Sequence, residues 1–153
     1  MGTYKDDCLY LEAVEFTLLQ EGVISNDPKD TGGATLYGIS SRWFPQEFAI
    51  VKGFLDKGDY TSAVEYVKQF YYIKFWLASK CDTLVRALAL CMFDCAVNCG
   101  VGRAGKILNK SNNDWKYFLL ERTDWNTQCK TEATHLRGWT RRVIRLKNYI
   151  EGT

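Results

Sequence analysis

The sequence contains few residues that commonly interrupt a chain or bind metal ions. Its 153 residues include only 2 prolines and 1 histidine. The longest apolar stretch, Ala87 to Phe93, is much shorter than the roughly 20 apolar residues of a membrane-spanning helix. We therefore expect no stable membrane insertion, no proline-rich linker and no site built on several histidines.

Neither sign of charge dominates, because 20 Lys and Arg residues oppose 18 Asp and Glu residues. A net charge of +2 is too small to indicate a nucleic-acid-binding protein. The distribution is uneven: residues 1–102 carry 9 basic and 13 acidic side chains, whereas residues 103–153 carry 11 and 5. With 46% hydrophobic residues and a length typical of one domain, the chain is predicted to form a single domain over residues 1–153 and to be a monomer.

The six cysteines suggest a disulfide framework or a zinc site at first sight. Three of them, Cys91, Cys95 and Cys99, recur every four residues, which is the spacing of one helix face. Eight helical residues rise about 12 Å, too far for Cys91 and Cys99 to share one zinc ion at Zn–S distances of about 2.3 Å. We therefore expect free cysteines that behave as small buried hydrophobic residues and no metal site.

The hydrophobic pattern predicts a mainly α, α+β fold with a small β-hairpin in the N-terminal third. Asp6 or Asp7 is expected to cap a first helix that ends near Glu21, before Gly22. The segment from residue 23 to 41 is rich in Gly, Pro, Asn and Asp and indicates loops around the hairpin. Pro45 is expected to open a short second helix.

The rest of the chain is predicted to be helical. Ser62 and Glu65 form a potential capping box for a helix that reaches about Trp76. A helix over about 83–99, capped by Asp82 or Thr83, is apolar on nearly every side and should be the buried central helix. Shorter helices follow from Arg103 and around residues 115–121. A last helix over about 131–150 should present a basic surface made of Arg137, Arg141, Arg142, Arg145 and Lys147.

Glu21 is the most unusual of the charged residues for its position. It is the last residue of its predicted helix, where the negative end of the helix dipole disfavours a carboxylate. Such a setting suits a side chain that donates a proton. Asp27, Asp30 and Thr35 follow within fourteen residues, and a proton donor with a second carboxylate is the set that glycoside hydrolysis uses. A frayed helix end followed by turns would also explain the pattern.

The stretch that begins at Glu21 resembles the N-terminal motif of glycoside hydrolase family 108, written E-G-G-Y-x-N-D-P-x-D-x-G-G-x-T-x-Y-G-I. The matching residues are Glu21, Gly22, Asn26, Asp27, Pro28, Asp30, Gly32 to Thr35 and Tyr37 to Ile39. Further segments also resemble this family: Tyr72 with Trp76, Phe93-Asp94 with Asn98 and Gly100, and Gly138-Trp139 with Arg142. The chain departs from the motif at Val23 and Ile24, where a glycine and an aromatic residue are usual.

The resemblance implies a lysozyme-like fold and a catalytic Glu21. The order Glu, Asp, Thr also resembles that of phage-type lysozymes and leaves Asp27 and Asp30 as competing candidates, with Thr35 as the third residue. Tyr37 and Trp43 are expected to stack on sugars, although single aromatic residues are often core residues. Asp94 and Asn98 lie four apart on an apolar helix and need hydrogen-bond partners. We expect them to bond backbone near a cleft, Asp94 as structural support and Asn98 as a candidate substrate-binding residue.

The resulting hypothesis is a peptidoglycan N-acetylmuramidase, from a phage or a bacterium, that needs no cofactor and lyses cell walls. It would cut the β-1,4 bond between N-acetylmuramic acid and N-acetylglucosamine. Because Lys5, Asp6 and Asp7 interrupt any apolar signal segment, we expect synthesis in the cytoplasm and release to the wall through a holin-type lesion or another route. The alternatives are a lytic transglycosylase and a non-catalytic wall-binding or secretion-assisting module. A nucleic-acid-binding role for the basic last helix is disfavoured, because such charge clusters are usually a solvated face.

Overall fold

The computed structural model describes residues 3–26, 33–130 and 132–152. Its backbone contacts divide the chain into two compact units, Met1–Lys74 and Phe75–Thr153, here called the N-terminal unit and the C-terminal unit. The architecture is mainly helical with one small antiparallel sheet. This confirms the predicted α+β, mainly α class.

In its described residues, 3–26 and 33–74, the N-terminal unit contains three α-helices and a three-stranded sheet. In chain order these are α1 (Cys8–Glu21), β1 (Ile24–Ser25), β2 (Thr35–Leu36), β3 (Ile39–Ser40), α2 (Pro45–Asp56) and α3 (Tyr60–Tyr71), with a 3₁₀ turn at Tyr4–Asp6 before them. A π-helical segment, Tyr72–Leu77, directly follows α3.

Local capping explains where these helices begin. The Asp7 side chain accepts a hydrogen bond of 2.9 Å from the Tyr10 amide, so the second of the two predicted caps of α1 is confirmed. Pro45 is the first residue of α2, as predicted. The predicted cap of α3 is wrong, because Asp59 accepts from the Ser62 amide at 3.0 Å and Ser62 lies inside the helix. Asp and Ser are both good caps, so composition alone did not separate them.

The sheet has the order β1-β2-β3, with both pairs antiparallel. Leu36 pairs with Ile39, which leaves a two-residue loop of Tyr37 and Gly38 with φ angles of +49° and +80°. Positive φ at both central residues is typical of a type I′ turn, which matches the natural twist of a hairpin. The predicted hairpin is confirmed, and β1 extends it by one strand. Helix α2 packs against β2 and β3.

The C-terminal unit is built around α4 (Arg86–Cys99). It also contains a 3₁₀ turn at Cys81–Thr83, α5 (Val101–Lys110), α6 (Trp115–Thr127) and α7 (Glu132–Glu151). Every residue of α4 from Leu88 to Ala96 is buried, which confirms the predicted central helix. Its start was predicted too early, because Asp82 and Thr83 belong to the preceding 3₁₀ turn and Val85 occupies the cap position.

The basic surface predicted for the last helix is wrong at one residue of α7. Arg142 is only 7% exposed, whereas Arg137, Arg141 and Arg145 are exposed. Arg142 lies three residues after Trp139 and four before Leu146, so helical spacing places it on the buried stripe. Among the described residues, no helix combines the length and the apolar character required to cross a bilayer.

Candidate active site

Glu21 is the last residue of α1, as predicted, and its side chain is half-buried. The Gly22 amide still bonds the Leu18 carbonyl at 3.2 Å, and Gly22 then leaves the helix with a φ of +69°. This left-handed conformation is easy for glycine and costly for other residues. The sequence Glu-Gly therefore ends the helix with the carboxylate at its C-terminal edge.

The type I′ turn lies directly against Glu21. A methyl group placed on Gly38 would come within 2.9 Å of Glu21 Cγ and 3.1 Å of Glu21 Cβ. It would overlap the Tyr71 hydroxyl oxygen even more closely. A glycine is thus required at position 38 for two reasons. The backbone has a positive φ, and Glu21 and Tyr71 occupy the space that a side chain would need. This contact accounts for the glycine in the Tyr-Gly-Ile part of the motif.

Tyr71 holds the turn from α3. Its side chain is 1% exposed, and its hydroxyl donates a hydrogen bond of 2.5 Å to the Tyr37 carbonyl. On the other side, the Tyr37 amide donates to the Val23 carbonyl at 2.8 Å. Hydrogen bonds to Tyr71 of α3 and to Val23, the residue before β1, therefore fix the turn that packs against Glu21. The sequence analysis missed Tyr71, whose only signal was a place among the apolar residues of α3.

Thr35 occupies the middle strand of the sheet and pairs with Ser25 of β1 and Ser40 of β3. It is half-buried and lies two residues before the turn that contacts Glu21. The other two candidate catalytic residues, Asp27 and Asp30, lie outside the described residues.

The two aromatic candidates have different surroundings. Tyr37 is 9% exposed and lines an open apolar groove with Leu18, Gly22 and Val23. Trp43 is 64% exposed, and the Arg42 guanidinium lies 5.3 Å from the centre of its ring. Trp43 thus has an accessible ring surface, whereas Tyr37 is mostly covered.

Asp94 and Asn98 lie in the C-terminal unit, where arginines from two other helices reach them. Arg122 of α6 donates to Asp94 Oδ2 at 2.8 Å and to Asn98 Oδ1 at 3.1 Å. Arg142 of α7 donates to Asp94 through Nε at 3.0 Å and through Nη2 at 2.9 Å. Asp94 and Arg122 are both fully buried. We call Asp94, Asn98, Arg122 and Arg142 the arginine network.

Electrostatics favours the ionised forms inside this network. Burial alone would raise the pKa of Asp94, but the charges and hydrogen bonds of Arg142 and Arg122 outweigh it and hold the pKa below its usual range. Burial also opposes the charge on Arg122, yet Asp94 keeps the pKa of that guanidinium above its ordinary value. The sequence analysis expected backbone partners and missed both arginines, because their positions on α6 and α7 are set by packing.

No group of three or more His, Cys, Asp or Glu residues in the described parts of the chain is placed to bind a metal ion. All six cysteines are free thiols. Cys91 and Cys95 are fully buried on α4, in keeping with their role as small core residues.

Comparison with known proteins adds three findings. A family model described as Glycosyl hydrolase 108 matches residues 14–100, which include Glu21, Gly38 and Asp94. The solved structure titled "Structure of Brucella abortus SagA" is 24% identical, covers 94% of each chain and superposes with a TM-score of 0.71, so the two chains share their fold. No curated protein sequence matches this chain.

Proposed function

Because the chain belongs to the glycosyl hydrolase 108 family, and is thereby a glycoside hydrolase that acts on peptidoglycan, we propose that it is an N-acetylmuramidase with Glu21 as its general acid. The bond cleaved would be the β-1,4 linkage between N-acetylmuramic acid and N-acetylglucosamine. Glu21 would protonate the glycosidic oxygen as the leaving group departs.

The observation that carries this proposal is the packing of Gly38 against Glu21. A general acid must be held within hydrogen-bond reach of the oxygen it protonates. Here the aliphatic part of Glu21 meets a turn that is itself fixed by the Tyr71 hydroxyl. The carboxyl group is thereby restricted at its base while its side chain remains partly exposed.

A second carboxylate completes the chemistry that glycosidases use. We assign this role to Asp30, with Asp27 as the competing residue, because Asp27 beside Pro28 is typical of a turn former. The carboxylate would stabilise the oxocarbenium-like transition state or, together with the Thr35 hydroxyl, position the attacking water. The location of Thr35 two residues before the Glu21-contacting turn supports its inclusion.

The test is hydrolysis of purified peptidoglycan by Glu21→Gln, with Glu15→Gln as the matched control on the same helix. Glutamine keeps the shape of glutamate but cannot act as a general acid, a role worth about 10² to 10⁴-fold in rate. We expect Glu21→Gln to lose at least about 100-fold with an unchanged melting temperature, and Glu15→Gln to remain active. Activity within about tenfold of wild type, below that range, would show that Glu21 is not the acid.

The same assay distinguishes the roles of Asp27, Asp30 and the Thr35 hydroxyl. Asp30→Asn should lower turnover, whereas Asp27→Asn should mainly lower the melting temperature. Thr35→Ser keeps a hydroxyl and should retain more activity than Thr35→Val, which removes it. Equal losses for both aspartate variants without a change in melting would contradict the division between Asp27 and Asp30.

Mass spectrometry of the products distinguishes the alternative reaction. A muramidase adds water and leaves a reducing end, whereas a lytic transglycosylase leaves a 1,6-anhydro end that is lighter by one water. Anhydro products that disappear in Glu21→Gln would keep Glu21 as the acid and replace hydrolysis by transglycosylation. A wild-type protein that binds the wall without cleaving it would favour the non-catalytic module.

A further inference from the structure

A cavity of the C-terminal unit lies between α5 and α6 and contains none of the residues assigned to the proposed reaction. The two helices pack against each other and are joined by residues 111–114, so they form a helical hairpin. Each helix lines the cavity with side chains spaced three or four residues apart, which is the spacing of one helix face. We call this cavity the α5–α6 cleft.

The two walls of the α5–α6 cleft carry charges of opposite sign. The charged side chains are Arg103, Lys106 and Lys110 on α5, and Glu121 and Asp124 on α6. Within the described parts of the chain, none of these five side chains takes part in an ion pair. Asp124 accepts a hydrogen bond of 2.8 Å from Gln128, an uncharged side chain that does not neutralise it. Cationic and anionic groups thus line one cavity without pairing with each other.

The Arg103 guanidinium is held in place at this cleft by an aromatic ring. Its Cζ atom lies 3.2 Å from the centre of the half-buried Trp125 ring, and a guanidinium that close to an indole face is stacked on it. Stacking uses the face of the guanidinium and leaves the N–H groups at its edge available as donors. Ile107, which is 4% exposed, adds an apolar surface to the lining. The cleft therefore combines a positioned donor, a carboxylate wall and an apolar contact surface.

We propose that the α5–α6 cleft binds a zwitterionic group, an amino and a carboxylate group on one carbon atom. The ligand's carboxylate would bind Arg103 and Lys106, its ammonium would bind Glu121, and its carbon atoms would contact Ile107. The cleft has a volume of about 120 Å³. An engineered cavity of about 150 Å³ holds benzene, which has as many non-hydrogen atoms as alanine. Two sources supply this group: free amino acids, and peptidoglycan stem peptides whose diamino acid is not cross-linked.

The first experiment follows the indole N–H signal of Trp125 by proton–nitrogen NMR while alanine is added to the wild-type protein. Trp125→Phe identifies the signal. Propionate and ethylammonium are the matched ligands, because each keeps the carbon skeleton of alanine and only one of its charges. We expect a saturable shift with alanine at an affinity at least about tenfold above either control, since a hydrogen bond to a charged group contributes that much. The signal of the fully buried Trp76 should not move. Equal shifts with all three ligands would overturn the proposal.

Variants that remove one charge from each wall locate the site. Glu121→Gln and Lys106→Gln should each weaken alanine binding at least about tenfold. Lys116→Gln and Asp82→Asn, at exposed residues of the same unit outside the cleft, should bind alanine as wild type does. Glu21→Gln should also bind alanine normally, so the result is independent of the proposed reaction. Equal affinity in all five variants would overturn the proposal, and the comparison of alanine with its matched ligands requires no variant to fold.

The second experiment distinguishes the two sources with synthetic stem tripeptides that end in diaminopimelate or in lysine. Diaminopimelate carries an amino and a carboxylate group on its far carbon atom, whereas lysine lacks that carboxylate. A site for wall peptides should bind the diaminopimelate peptide at least as tightly as alanine and at least about tenfold more tightly than the lysine peptide. A site for free amino acids should bind alanine and neither peptide. Equal binding of both peptides, or no saturable shift of Trp125 with any of these ligands, would overturn the proposal.

Discussion

The two units position their central acidic residues in different ways. In the N-terminal unit, Glu21 is placed by backbone features: a helix end, a positive-φ glycine and a type I′ turn held by one tyrosine hydroxyl. In the C-terminal unit, Asp94 is held by two guanidinium groups that come from 28 and 48 residues further along the chain.

This difference indicates which of the two carboxylates is suited to catalysis and which to stabilising the fold. Glu21 keeps part of its side chain exposed, whereas Asp94 is fully buried and engaged by two cations. A carboxylate held in that way is suited to fastening helices together and poorly suited to proton transfer. Single substitutions in either unit test this comparison.

The largest effect on stability is expected from Asp94→Ala. Removing one partner of a buried ion pair leaves the other charges uncompensated and costs about 3 to 5 kcal/mol. Chemical unfolding monitored by circular dichroism measures this loss, and Asp82→Ala, an exposed aspartate in the same unit, should change stability little. Asp94→Asn should be milder than Asp94→Ala. If Asp94→Asn instead abolished hydrolysis with unchanged melting, Asp94 would belong to the catalytic residues.

The same residue makes stability depend on pH in a defined direction. Because Arg142 and Arg122 outweigh burial and lower the pKa of Asp94 in the folded state, its contribution is fully present above the unfolded-state value of about 4. It is lost as the pH falls from there through the lowered folded-state pKa. The wild-type protein should therefore lose more stability on acidification than Asp94→Asn does.

Gly38→Ala is expected to have the next largest effect on stability and a clear effect on activity. The added methyl group meets Glu21 and Tyr71, and the left-handed backbone conformation alone costs about 1 to 3 kcal/mol. Gly58→Ala is the control, since Gly58 has a φ of +72° but no atom within 4 Å of the added carbon. Both variants should be destabilised, and only Gly38→Ala should lose hydrolysis. Equal activity of the two would show that the turn does not position Glu21.

Tyr71→Phe should give the smallest effect. It removes the hydroxyl that donates to the Tyr37 carbonyl, a contribution of about 0.5 to 1.5 kcal/mol. Tyr10→Phe is matched, because the buried Tyr10 hydroxyl donates to the Lys68 carbonyl at the same distance of 2.5 Å. Thermal melting should fall similarly in both variants, while kcat should fall only in Tyr71→Phe. A kcat unaffected by Tyr71→Phe would show that the Tyr71 hydroxyl does not help to position Glu21.

The sequence predicts features that depend on neighbouring residues and fails for features that depend on residues far apart in the chain. The Asp7 cap, the end of α1 at Gly22 and the start of α2 at Pro45 depend on neighbouring residues, so local patterns predicted them. Glu21 and Gly38 both belong to the family motif, but only their packing in the fold shows why a glycine is needed at position 38. The roles of Arg122 and Arg142 could not be predicted, because their partners are distant in sequence. Burial of Arg142 could have been inferred from its place on the apolar stripe of α7.

The burial of Arg122 and Arg142 also affects proteolysis of the folded chain. Trypsin cleaves after arginine and must draw several residues around the cleaved bond into an extended conformation. At these two positions that requires breaking the contacts with Asp94, whereas Arg137, Arg141 and Arg145 are already exposed on α7. Cleavage after Arg122 would thus report the population of molecules in which α6 has separated from α4, and its rate would follow the opening of the arginine network.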